Sequence, residues 1–153
     1  MFKKSIALAA ALALGGCASV DTEMSASSDI NPDMNGNPSP IAVSVFELSS
    51  PSAFMAADFI HLYTEAPVTL GASLLLERNL MLVPGTSEKL SLPVVKGVTA
   101  VGYVAAYQDV TATQWRQLVP VAPSMMQGVT VTVSLDNQGI HIANNPTSAG
   151  GSL

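Results

Sequence analysis

The sequence predicts an all-β fold, a β-sandwich of short strands with a small helical insertion between its first two strands. Three observations carry this prediction. Val129, Val131, Val133 and Leu135 alternate with Thr130, Thr132 and Ser134, the period of two that gives a strand one buried and one exposed face. Asp136, Asn137, Gln138 and Gly139 then offer turn chemistry, and Ile140, His141 and Ile142 resume the alternation on a partner strand. A second strand pair, residues 80–83 and 89–96, flanks Pro84-Gly85, where Gly supplies the positive φ that a type II turn requires. Only between Leu48 and Leu80 does the spacing change: Phe54, Met55, Phe59, Leu62 and Tyr63 recur at intervals suited to an amphipathic helix.

Taken in chain order, residues 1–16 have the layout of a secretory leader. Lys3 and Lys4 precede an apolar stretch from Ile6 to Leu14, and small Gly15 and Gly16 stand at the cut. A stretch this short does not span a bilayer, which takes about 20 apolar residues. The run Leu14-Gly15-Gly16-Cys17 resembles a bacterial lipobox, and Cys17 is the single cysteine of the chain, so no disulfide competes for its thiol. The resemblance implies a thioether-linked diacylglycerol on the sulfur and an acyl group on the new N-terminus. An Asp after the lipidated Cys favours retention at the inner membrane; Ala18 stands there and favours the outer membrane. Residues 17–40 are read as the lipidated N-terminus and a flexible tether, because a segment rich in Ser, Asn, Asp and Pro buries too little surface to offset chain entropy. A free linker of that length reaches about 25–30 Å.

The folded domain is expected over residues 41–142, followed by a disordered Gly/Ser-rich tail over 143–153. Residues 41–48 and 100–108 alternate less cleanly than the C-terminal strand, as central strands covered on both faces do. Pro93 marks its strand as an edge or the site of a bulge. In the insertion, Ser50 or Ser52 is placed to cap the helix with Pro51 in its first turn, and a second short helical turn is expected near residues 70–75.

The whole chain has a formal charge of −5, and loss of Lys3 and Lys4 with the leader shifts this to −7. Arg78, Lys89, Lys96 and Arg116 are then the only cations against eleven acids, which excludes a basic face for nucleic acid. An acidic body is also repelled by anionic headgroups, so membrane attachment must come from the lipid, at about 0.8 kcal/mol per buried CH₂. No enzyme chemistry assembles: His61 and His141 are the only histidines, and no phosphate-binding Gly-rich loop or nucleophile elbow occurs. Asp58 and His61, one helical turn apart, suit a local hydrogen bond better than a metal, since zinc takes three or four protein ligands. No catalytic residue, metal site, cofactor or small-molecule substrate is expected. Trp115-Arg116 reads either as an interface hot spot or, more economically, as an anchor that pins a long connection onto the sandwich while Arg116 pairs with an acid or stacks.

In order along the chain, the lipobox, Asn31-Pro32, Pro38-Ser39-Pro40, Val45-Phe46-Glu47-Leu48, Ala57-Asp58-Phe59, Leu70-Gly71-Ala72, Val83-Pro84-Gly85, Val104-Ala105-Ala106-Tyr107 and Trp115-Arg116 resemble the outer-membrane lipoprotein family of the type VI secretion system, called TssJ, SciN or VasD. That resemblance implies a transthyretin-like sandwich, non-enzymatic, anchored to the outer membrane and facing the periplasm. It implies binding to the periplasmic C-terminal domain of the inner-membrane subunit TssM, and through it an indirect link to TssL. It further implies that the connection between the first two strands holds TssM. Within that connection the sequence offers two polar tips, Ser50, Pro51 and Ser52 at its start, and Thr64, Glu65, Ala66 and Pro67 with no evident packing duty. The competing reading is a lipid-anchored envelope module for a small ligand or peptidoglycan, which would show a deep pocket with converging polar groups. Replacing Cys17 with Ser is expected to leave a folded but unanchored protein; fractionation with a fatty-acid analogue checks this, and continued labelling of the variant would overturn the lipobox reading.

Overall fold

The computed structural model describes residues 19–121 and 128–143; the leader and Cys17 lie outside them, as does the tail beyond residue 143. Two four-stranded sheets face each other. The first has the order β4-β1-β7-β8 and the second β3-β2-β5-β6, with β1 Ser19–Ala26, β2 Ile41–Leu48, β3 Leu74–Leu82, β4 Ser87–Pro93, β5 Ala100–Ala105, β6 Arg116–Pro120, β7 Val129–Asp136 and β8 Gly139–Ile142. Three short helices, α1 Ser52–Ala56, α2 Phe59–Thr64 and α3 Ala66–Leu70, and a 3₁₀ turn at Gly71–Ser73 lie between β2 and β3.

The expected tether is the largest correction. Residues 19–26 form a strand in the middle of the first sheet, antiparallel to β4 and parallel to β7. Val20, Thr22, Met24 and Ala26 point inward and are buried, while Ser19, Asp21, Glu23 and Ser25 face out. Ser19 therefore already belongs to the domain, and the helical insertion follows the second strand. Beyond β1 the chain is tied down again at Ile30 and Asn31, both buried, while residues 34–38 are exposed. Asn31 holds a φ of 50°, tolerable for Asn, while its side chain donates to the Pro40 carbonyl (3.0 Å) and accepts from the Gln108 backbone N–H (2.7 Å).

The other departures are smaller. β3 starts at Leu74, so the helical turn expected over residues 70–75 ends at Ser73. β6, beginning at Arg116, falls where the sequence suggested a connection. The Pro84-Gly85 turn is as expected, with Gly85 at φ 75° and the Thr86 N–H donating to the Val83 carbonyl; it carries the chain from the second sheet to the first. Pro93 lies on β4, an edge strand. Gly139 is required at its turn, because a Cβ there would sit 2.4 Å from the Gln114 carbonyl oxygen.

The main core fills the space between the sheets with Val20, Met24, Ile41, Val43, Val45, Leu82, Leu92, Val101, Val131, Val133, Leu135 and Ile140, among others. A polar contact crosses it: Tyr103 on β5 and Thr22 on β1 share a 2.9 Å hydrogen bond between their hydroxyls. Burial pushes the Tyr103 phenol up to about 12, so it stays neutral and the bond persists at any ordinary pH. β2 and β5 are buried on both faces, since their outer side is covered by the insertion.

Glu47 is the exception in this core. It is fully buried near the end of β2, and neither carboxylate oxygen has a well-formed hydrogen bond among the described residues. Desolvation raises its pKa, opposed in part by the nearby Val95 backbone and by the charge of Arg78. A carboxyl whose folded pKa lies above its unfolded one binds more protons in the native state, so stability falls as pH rises from the ordinary carboxylate value to the raised one. Glu47→Gln should abolish this component of the pH dependence and raise the neutral-pH denaturation midpoint, as urea titrations between acid and neutral pH will show.

Candidate partner-docking site

The insertion is built outward from β2. Odd-numbered residues Ile41, Val43 and Val45 face the sandwich interior, which turns Phe46 and Leu48 to the outer side of the sheet. There Phe46, Leu48 and Val104 meet Phe54 of α1, Leu62 of α2, and Ala66 and Leu70 of α3 in a second apolar cluster. Phe54 lies directly over Gly102 of β5, where a Cβ would come within 2.7 Å of its ring, and tilts against Phe46 at 6.0 Å between centroids. Only glycine at 102 lets α1 come this close.

Polar contacts close the neck and fix the helix ends. The Ser49 N–H donates to the Ser73 carbonyl (2.9 Å) and the Thr99 hydroxyl to the Ser49 carbonyl (3.1 Å), so the two ends of the insertion are stitched to each other and to the sheet. α1 starts from Pro51, which offers no side-chain cap; the Ser50 hydroxyl takes part of that role, accepting from the Ser52 backbone N–H at 3.4 Å and lying 3.4 Å from the Ser52 hydroxyl. Asp58 caps α2, accepting from both the backbone N–H (3.0 Å) and the ring Nδ1 (2.8 Å) of His61. Those bonds, the backbone one foremost, hold the Asp58 carboxyl below its ordinary value. The Asp58 and His61 pair is thus a helix cap, and among the described residues no three His, Cys, Asp or Glu side chains gather where a metal could bind.

Trp115-Arg116 fastens the insertion from the sheet side. The Arg116 guanidinium donates to the carbonyls of Phe54 and Ala57, both at 2.8 Å, which is where the end of α1 leaves carbonyls without helical partners. It also lies over the Trp115 ring at 4.7 Å, and Trp115 meets Phe59 edge-on at 5.4 Å. The anchoring reading holds, with carbonyl oxygens in place of the expected acid.

Of the two expected tips, Ser52, Thr64, Glu65 and Pro67 are exposed and Ser50 and Pro51 half-buried. Ala66 is only 3% exposed and belongs to the cluster against the sheet, so it cannot serve as a contact. Thr64 and Glu65 also have local duties: the Thr64 hydroxyl donates to the Ile60 carbonyl, and Glu65 is the junction residue between α2 and α3. The tips belong to one packed unit, because α3 packs against both α1 and α2. What the sequence reading missed is apolar exposure. Met55, Ile60, Tyr63 and Val68 stand open to solvent, Val68 at 82% and Ile60 at 61%, although Met55 and Tyr63 were expected to pack inward. Tyr63 stacks on Phe59 at 5.3 Å and walls a groove of about 360 Å³ floored by Ala42, Ser44, Glu77 and Asn79. The available signal was Ile60 and Val68, apolar residues outside the single stripe that short helices can bury.

Elsewhere the surface offers little for a small ligand. A depression of about 410 Å³ on the outer face of the first sheet is lined by Asp21, Glu23, Lys89 and Ser91 among others, but Lys89 donates to Glu23 and Ser91 to Asp21, so these polar groups satisfy one another rather than converge. No helix among the described residues is long and apolar enough to cross a membrane.

The sequence profile of the family described as type VI secretion lipoprotein, VasD, EvfM and TssJ, matches residues 18–138, and the chain belongs to that family. Among solved structures, Lip of Serratia marcescens, a membrane-bound component of the type VI secretion system, is similar with a TM-score of 0.79 at 24% identity, covering 83% of this chain and 98% of that one. The lipoprotein TssJ1 of Pseudomonas aeruginosa gives 0.78 at 27% identity, over 84% and 96% of the two chains. A chain of a type VI membrane complex gives 0.73 at 17%, over 84% and 100%. No curated protein sequence shows significant similarity.

Arg116→Met should detach the end of α1 while leaving the sandwich intact. Hydrogen bonds from a charged donor contribute about 1.5–3 kcal/mol, and a loss in that range is expected in denaturant midpoints, with faster amide exchange confined to residues 52–64.

Proposed function

We propose that the chain is an outer-membrane lipoprotein facing the periplasm, acylated at Cys17, which anchors a type VI secretion membrane complex by binding the periplasmic C-terminal domain of TssM. It acts through contact, without catalysis, and TssL is reached only through TssM. Family membership supports the setting. The observation that carries the binding surface is the exposed apolar set on the insertion, Ile60, Tyr63 and Val68, beside the polar corner of Thr64, Glu65 and Pro67. Apolar side chains ringed by polar ones mark protein contacts, and these sit on helices packed onto the sheet through Leu62, Ala66 and Leu70, so little ordering cost attends binding. Ser50, Pro51 and Ser52 stand apart from this set at the neck, where β2 ends and β3 begins, and are left out of the surface, while Ala66 supports it from beneath.

Titration of the purified domain against the periplasmic TssM fragment tests this. Val68→Asp combined with Ile60→Ser should weaken binding about tenfold or more, each tenfold being about 1.4 kcal/mol, with Glu65→Lys changing it further. Denaturant midpoints should shift little, because surface changes of this sort stay within about 0.5 kcal/mol. Phe54→Ala is the opposite control, expected to lose about 3–5 kcal/mol of stability and to affect binding only through unfolding. Unchanged affinity in the surface variants would move the interface to another face of the sandwich.

A further inference from the structure

Cys17 and Ser19 are separated by a single residue, so their Cα atoms lie no more than about 7 Å apart at full extension. Ser19 is already in β1, and from Val20 onward the strand is bonded on both sides, to Leu92 of β4 and Val129 of β7. The slack expected of residues 17–40 is absent: the folded domain starts next to the residue that carries the lipid. Strand directions then fix which end of the sandwich is near it. β1, β3, β5 and β7 begin at this end, and β2, β4 and β6 finish there, so the loop of residues 94–99 and the neck of the insertion share it with Ser19.

Charge is divided between the two ends. At the opposite pole lie Asp29, Asp33, Glu88, Asp109 and Asp136, on the segment after β1, the start of β4, the segment after β5 and the end of β7. At the pole where β1 begins, the described residues expose no Asp or Glu. They present Pro93, Lys96 and Pro120 with half-buried Val94, Val95 and Val98; Glu47 is buried beneath them, and Asp21, the nearest outward acid, accepts from Ser91. For a domain of net charge −7, an acid-free pole with one exposed lysine is the part an anionic lipid surface tolerates, within a Debye length of about 8–10 Å.

We propose that this acid-free pole rests directly on the lipid surface in which Cys17 is anchored, so that the domain is held in one orientation with its acidic pole turned away. The inference rests on the lipoprotein reading above and adds a membrane-facing surface to it. Orientation follows from two features acting together: the short covalent connection, and the absence of like charge at the surface it brings to the membrane.

Since Cys17 is the only cysteine and would be blocked by lipid, single cysteines introduced by Lys96→Cys or Asp109→Cys can each be labelled uniquely in the mature acylated protein. The test is fluorophore quenching in vesicles of phosphatidylethanolamine and phosphatidylglycerol. A lipid-phase quencher should act several-fold more strongly on the label at position 96 than on that at 109, and an aqueous quencher the reverse. A Gly/Ser spacer of the tether's expected length, inserted between Ala18 and Ser19, leaves β1 intact and should abolish the difference. Co-flotation with the vesicles separates the two readings. Protein that floats but shows equal quenching at both positions overturns the orientation alone; protein that fails to float or to incorporate a fatty-acid analogue overturns the lipid anchor and the orientation with it. Unequal quenching that survives the spacer would show the pole binding lipid by its own affinity and would overturn the role given to the short connection.

Discussion

The first sheet depends on β1, a strand paired along its whole length on both sides, residues 19–25 with β4 and residues 20–26 with β7. β4 has no other partner in its sheet. Without β1, β4 would be an isolated strand and β7 and β8 a bare hairpin, which is marginally stable at best. The second sheet would lose its cover as well, since Val20, Thr22 and Met24 line the space between the sheets and Thr22 is the polar partner of Tyr103. A segment of eight residues with only two large apolar side chains thus determines whether both layers exist.

The second sheet is organised by an opposite demand, that of two apolar faces. β2 and β5 bury residues on either side, so the sheet cannot be stable with its outer face bare, and the insertion supplies the missing layer. Phe54 over Gly102, Leu62 and Leu70 make it part of the hydrophobic interior rather than an appendage. Arg116 adds directionality, because its two bonds to carbonyls define where α1 ends and how it lies. The cap is therefore rigid for structural reasons, and its outward side chains are presented in fixed positions. A loop of similar composition would have to be ordered by its partner at a cost in affinity.

Legibility in the sequence followed burial on a single face. β7 could be read because Val129, Val131, Val133 and Leu135 are large, apolar and strictly alternating. β1 has the same alternation, but two of its inward positions are Thr22 and Ala26, and the Ser, Asn, Asp and Pro of the following residues dominate any window long enough to judge composition. Its partner strands lie more than sixty residues away, a relation no local signal records. β6 was hidden similarly, since Arg116 and Gln117 spend their polar groups on carbonyls of α1 and on Ile140 and so look like loop residues. At the candidate site, the location of the insertion was legible from the change in period. Which of its side chains face outward was not, because three helices of five or six residues with different axes replace the single amphipathic helix that the spacing suggested, and Ala66 turns inward at the corner between two of them.

The pairing of β1 with β7 also orders events in time. Chains are made N-terminus first, yet the parallel ladder joins Val20 to Val129, and contacts between such distant residues form late and slowly. Until β7 arrives, one edge of residues 19–26 has no partner, and its backbone N–H and C=O groups stay open to water. The first of the eight described strands to be made is thus among the last to be enclosed on both sides.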